Sequence, residues 1–114
     1  MARTRKIKKL YSASGNFTEE ALTKTIRNLL DVVGIWHYKQ HQGLGSTPGI
    51  PDIVGIWRGR YLGIEIKTKL GVVSDVQKRV MANINDAGGK AFIARSVDDV
   101  IRELELGDRF LDLK

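Results

Sequence analysis

The 114-residue chain contains no cysteine and only two histidines, His37 and His41. A disulfide framework and a thiolate metal site are both excluded, and two imidazoles are too few for a histidine-built zinc centre. Any metal must sit mainly on oxygen ligands. Also lacking is a run of roughly 18 to 20 unbroken apolar residues, the minimum for a membrane-spanning helix. The basic N-terminus is not followed by the apolar core of a signal peptide. These absences predict a soluble, cytoplasmic protein with no membrane partner, in the host cytoplasm if the chain is viral. There is no internal repeat and no low-complexity tract.

What is present is an apolar content of 42%, enough for one core at this length but not for two. The net charge of +6 is unevenly spread, because Arg3, Arg5, Lys6, Lys8 and Lys9 fall within the first nine residues. Without those five, 14 basic residues face 13 acidic ones, so the excess is a basic arm on a nearly neutral domain. Residues 1–16 read as arm and linker, and residues 17–114 as a single domain. Such an arm suits a phosphate backbone, whose condensed counterions are released when Lys or Arg binds. A solvated tail that only aids solubility is the other reading.

Thr18 reads as an N-cap, with Glu19 and Glu20 in the first turn, where the helix dipole favours negative charge. Leu22, Ile26, Leu29, Leu30 and Val33 recur at helical spacing until Gly34. Residues 35–40, IWHYKQ, predict a strand, and residues 41–50, HQGLGSTPGI, a glycine-rich loop. Residues 52–57 and 61–67 predict an antiparallel hairpin turning around Arg58-Gly59-Arg60. A helix from about Ser74 to Ala87 ends at Gly88-Gly89, residues 90–94 form a last strand, and Ser96 caps a short helix to about Leu106. The expected architecture is α/β: a mixed β-sheet with a central antiparallel hairpin, flanked by helices, with one right-handed helical crossover to the final strand.

Strand alternation places Leu62, Ile64 and Ile66 on one face and Tyr61, Gly63, Glu65 and Lys67 on the other. Asp52 opens the partner strand after Pro51, and the hairpin brings it close to Glu65 and Lys67. Two close carboxylates repel unless a cation lies between them, and an all-oxygen donor set of this kind suits Mg²⁺ or Mn²⁺. With a lysine beside it, such a site suits hydrolysis of a phosphodiester. A surface ion pair at a strand end is the plainer reading of the same string, and the apolar character of both strands argues against it. Ser46 and Thr47, in the glycine-rich loop before Asp52, could approach a phosphate, or the loop could be a simple connection. On the helical wheel Glu19 lies about 60° from Leu22 and Glu20 about 160°, so Glu19 faces the sheet. Gln77 completes a Ser74–Gln77 capping box, and it could also reach toward Lys67 to bond water or phosphate.

At these residues the chain resembles the PD-(D/E)xK nuclease superfamily, and within it the VRR-NUC family of replication and repair nucleases. Gly49-Ile50-Pro51-Asp52 matches the family's G-x-P-D element, Glu65-Ile66-Lys67 its ExK element and Ser74-Asp75-Val76-Gln77 its S-x-x-Q. Glu19 with Leu22 and Ile26 fits its helix-borne acid, with the neighbouring Glu20 leaving the register open by one residue. The resemblance implies a restriction-endonuclease-like core and a Mg²⁺- or Mn²⁺-dependent endonuclease acting on DNA. In that reading Asp52, Glu65 and the Ile66 carbonyl hold the metal, Lys67 activates water or stabilises charge, and Glu19 and Gln77 are auxiliary members, with a water-bridged contact to the metal open to Glu19. Stand-alone members resemble archaeal Holliday junction resolvases, which implies a homodimer on branched DNA. A module that only binds branched DNA, and a nuclease of little structure selectivity, are the competing expectations.

Overall fold

The Thr18 hydroxyl accepts a hydrogen bond from the Ala21 N–H at 3.0 Å and opens helix α1, Glu19–Val32. It is the first of seven elements in a computed structural model that describes residues 18–41, 43 and 45–107. The expected basic arm, residues 1–16, lies outside the described residues. After α1 come β1 (His37–Lys39), β2 (Ile53–Trp57), β3 (Arg60–Ile66), α2 (Asp75–Asp86), β4 (Lys90–Ala94) and α3 (Val97–Glu103). The order matches the expectation element for element. The first strand is shorter than residues 35–40 predict, because the Ile35 N–H still bonds back to the Leu30 carbonyl at the end of α1.

The four strands lie side by side in the order β1-β2-β3-β4, antiparallel for the first two pairings and parallel between β3 and β4, which α2 connects. Arg58 and Gly59 both have left-handed backbone, φ 52° and 75°, as a two-residue hairpin turn requires. That turn pairs Trp57 with Arg60 and Ile53 with Ile64, so the next pair along the ladder is Asp52 and Glu65. Turn length therefore sets the register of the acids.

One face of the sheet carries the main core. Leu22, Ile26, Leu29 and Leu30 of α1, and Val97 and Val100 of α3, pack on Ile53, Leu62, Ile64, Ile66 and Phe92. The opposite face is covered by α2 only over β3 and β4, where Met81 and Ile84 meet Ala91 and Ile93. Asn85 of α2 holds the outer edge of β4, accepting from the Ala91 N–H at 2.8 Å and donating to its carbonyl at 3.0 Å. Among the described residues no element covers the part of this face over β1 and β2. Trp36 (65% exposed), Tyr38, Ile56 and Tyr61 stand there, with the Trp36 and Tyr38 rings edge to face at 5.6 Å.

Candidate active site

The loop before β2 is shaped by two glycines. Gly49 has φ +81°, and a Cβ there would lie 2.8 Å from Val76 of α2. A Cβ at Gly63 would lie 2.7 Å from the Pro51 ring, so only glycine lets buried Pro51 rest on β3. Pro51 thus anchors the loop on the sheet. The G-x-P-D string is a packing device that delivers Asp52 to the end of the hairpin. The Asp52 carbonyl accepts from the Gln40 N–H at 2.7 Å, and its carboxylate Oδ2 from the Ile66 N–H at 2.8 Å.

Glu65 is 2% exposed, and its carboxyl is within hydrogen-bonding reach of that of Asp52. Burial, then the hydrogen bond and charge of Asp52, push its pKa up from the ordinary carboxylate value to about 9. Half-buried Lys67 pulls it down, and Glu19 raises it further. Glu65 Oε2 is buried without a hydrogen-bond partner among the described residues. A buried acid with one orphan oxygen beside a half-buried one fits a hard divalent cation, which would displace the Glu65 proton and give that oxygen a partner. Among the described residues no three acidic or histidine side chains converge as a metal-holding group. A cation held by Asp52 and Glu65 would then fill its shell with backbone oxygen, water and substrate, as Mg²⁺ commonly does.

The placement of the other predicted residues is mixed. Glu19, exposed at the start of α1, acts electrostatically on Glu65, whereas Glu20 lines a separate groove of about 370 Å³ between α1 and β1. This separates the two acids that sequence alone leaves in either register. Gln77 closes the capping box: its Oε1 accepts from the Ser74 N–H at 3.0 Å and its own N–H bonds to Ser74 Oγ at 3.1 Å. Its amide nitrogen alone is left for other work. Ser46 closes a local turn, its hydroxyl donating to the Gly43 carbonyl at 2.7 Å and accepting from the Gly43 N–H at 3.1 Å. Thr47 is exposed. Arg3, Arg5, Lys6, Lys8 and Lys9 lie outside the described residues.

Three cations escaped the sequence reading. Lys24 and Arg27 of α1 and Lys39 of β1 line the groove beside Glu20, and Arg27 Nε is buried without a partner among the described residues. Their signal was the i,i+3 spacing of Lys24 and Arg27 opposite the Leu22–Ile26 stripe. Arg95 also went unnoticed. Its Nη1 donates to the carbonyls of Thr68 (2.7 Å) and Gly71 (2.8 Å), a contact across more than twenty residues that no local pattern announces.

A mixed sheet with an acid, an acid and a lysine gathered where the hairpin meets the next loop defines a nuclease-type α/β domain. The VRR-NUC domain model matches residues 1–98, and the chain belongs to that family. In fold it is similar to a solved structure described as a VRR_NUC domain protein, with TM-score 0.64 and 22% identity over 85% of this chain and 92% of that one. No curated protein matches significantly. The family and the shared fold bear out the expected α/β, restriction-endonuclease-like architecture. No helix among the described residues is long and apolar enough to cross a membrane.

Proposed function

We propose that the chain is a Mg²⁺- or Mn²⁺-dependent endonuclease that hydrolyses phosphodiester bonds in DNA, with branched or Holliday junction DNA as its substrate. The observation that carries this reading is the pairing of half-buried Asp52 with buried Glu65, whose Oε2 has no hydrogen-bond partner among the described residues and whose carboxyl is held far above the usual range. Asp52, Glu65 and the Ile66 carbonyl would hold the cation, with Glu19 assisting through water. When bound, the ion would supply Lewis-acid stabilisation of the phosphate oxygens and a source of nucleophilic water.

The chain's own groups do the rest. Lys67, on the same sheet face as Glu65, orients the attacking water and offsets the charge that builds on the phosphate in the transition state. Asp52 keeps its orientation through the Ile66 N–H, so the acid cannot swing away without breaking a 2.8 Å bond. The Gln77 amide nitrogen would bond a water or phosphate oxygen while its carbonyl caps α2. The DNA backbone is held by Arg3, Arg5, Lys6, Lys8 and Lys9, by the loop carrying Ser46 and Thr47, and by Lys24, Arg27 and Lys39.

A homodimer would set two such sites on one branched substrate. The open aromatic face of Trp36, Tyr38, Ile56 and Tyr61 is the surface we assign to the second copy. Four large side chains without a charge among them resemble the core of a protein interface, where aromatics are enriched and charges depleted. The nuclease reading is tested by incubating labelled linear, nicked, flap and four-way junction DNA with Mg²⁺, Mn²⁺ or EDTA. Metal-dependent cuts, most efficient on branched forms, are expected. Binding without cleavage of any form would make the chain a DNA-binding module, and equal cleavage of all forms a nuclease of little selectivity.

A further inference from the structure

Directly after Lys67 the chain makes a turn, closed by the Gly71 N–H on the Thr68 carbonyl at 3.0 Å, with Lys69 and Leu70 at its tip. Leu70 is 91% exposed and Val72 83%, while the next residue, Val73, turns inward onto Met81 and Ala91. Leaving a Leu or Val in water forgoes the stabilisation its burial would bring. The loop holds these side chains out in a defined place, because the Arg95 guanidinium bonds the carbonyls on both sides of the turn, Thr68 and Gly71. Arg95 is itself tied at its backbone N–H to Asp99 Oδ2 at 2.8 Å.

We propose that Leu70, supported by Val72, is a wedge that enters the base stack where the DNA is interrupted, and so selects branched over continuous duplex. The proposal rests on the nuclease reading and gives it a source of structure selectivity. Leucine is among the apolar side chains that proteins drive between base steps. Unstacking a step of intact duplex is costly, and at a branch point that cost is already partly met. The charge around the wedge suits a polyanion. Residues 66–74 contain Lys67 and Lys69 and no acid, so a second copy docked through the same loop would set lysine against lysine. Reach suits it too. Three residues of backbone span at most about 11 Å, or about three base steps of 3.4 Å, so the wedge and Lys67 act on neighbouring steps and the cut falls a few nucleotides from the branch.

The test uses Asp52→Asn protein in EDTA, bound to a four-way junction carrying 2-aminopurine beside the crossover, so that no readout depends on cleavage. Insertion unstacks the probe, and a several-fold rise in its fluorescence on binding is expected. Adding Leu70→Ala and Val72→Ala should remove that rise, leave the affinity for linear duplex within twofold, and be rescued by Leu70→Phe. No rise with the parent protein, or an equal rise without the two side chains, overturns the proposal. So does conversion of a dimer to a monomer by the double substitution, seen by sedimentation, which would make the loop a contact between copies. A wild-type protein that cuts nothing would refute the nuclease reading and leave the fluorescence result standing.

Discussion

Replacing Glu65 by Gln separates the energetic cost of the acid pair from its chemistry. Glu65 binds its proton more tightly in the folded chain, with a pKa of about 9, than in the unfolded one, near 4.5. The stability this contributes is fully present below pH 4.5 and is lost as the pH rises toward 9, because the unfolded chain releases the proton first. At 1.36 kcal/mol per unit, the loss between pH 4.5 and pH 7 is about 3 kcal/mol. Glutamine keeps a neutral donor toward Asp52 at every pH and should not incur this loss. Urea unfolding in EDTA should therefore show wild type falling by about 3 kcal/mol relative to Glu65→Gln across that interval. The variant should be the more stable protein at neutral pH and catalytically dead. Mg²⁺ or Mn²⁺ should restore wild type and leave the variant unmoved. Parallel pH profiles for the two proteins would refute the reasoning, since every other titrating group is common to both.

Three further outcomes are expected. Lys67→Ala should abolish cleavage of a junction while leaving its affinity within a few-fold, as gel-shift titration would show; loss of both in a folded protein would contradict the division between cutting and gripping. Gly63→Ala forces a Cβ against the Pro51 ring, and should cost about 1–3 kcal/mol in urea and depress cleavage by moving Asp52; an unchanged midpoint and rate would remove Pro51 as the anchor. Deleting residues 1–9 removes five cations and should flatten the dependence of log affinity on log salt; an unchanged slope would leave the arm without a phosphate contact.

Much of the fold was legible because its signals are local. Thr18, Ser74 and Ser96 cap where they stand, and the left-handed Arg58-Gly59 pair closes the hairpin whose register sets Asp52 against Glu65. The outline of the site followed from that register. What stayed hidden depends on elements meeting in space. The length of β1 is decided by where α1 unwinds at Ile35, and the loop that shows Leu70 to solvent is held by Arg95 from beyond the last strand. The choice between Glu19 and Glu20 required knowing which side of α1 looks toward Glu65. The reason for glycine at 63 lies in a proline twelve residues earlier in the chain.

The bond from the Ile66 N–H to Asp52 makes one backbone amide a resident observer of the site. Its proton points at the carboxylate whose charge and partners change when a neighbour gains or loses a proton or a cation arrives. In a ¹⁵N-edited spectrum that single resonance, carried by a residue whose own side chain is wholly buried in the core, would report the electrostatic state of the acid pair without any label placed on the acids themselves.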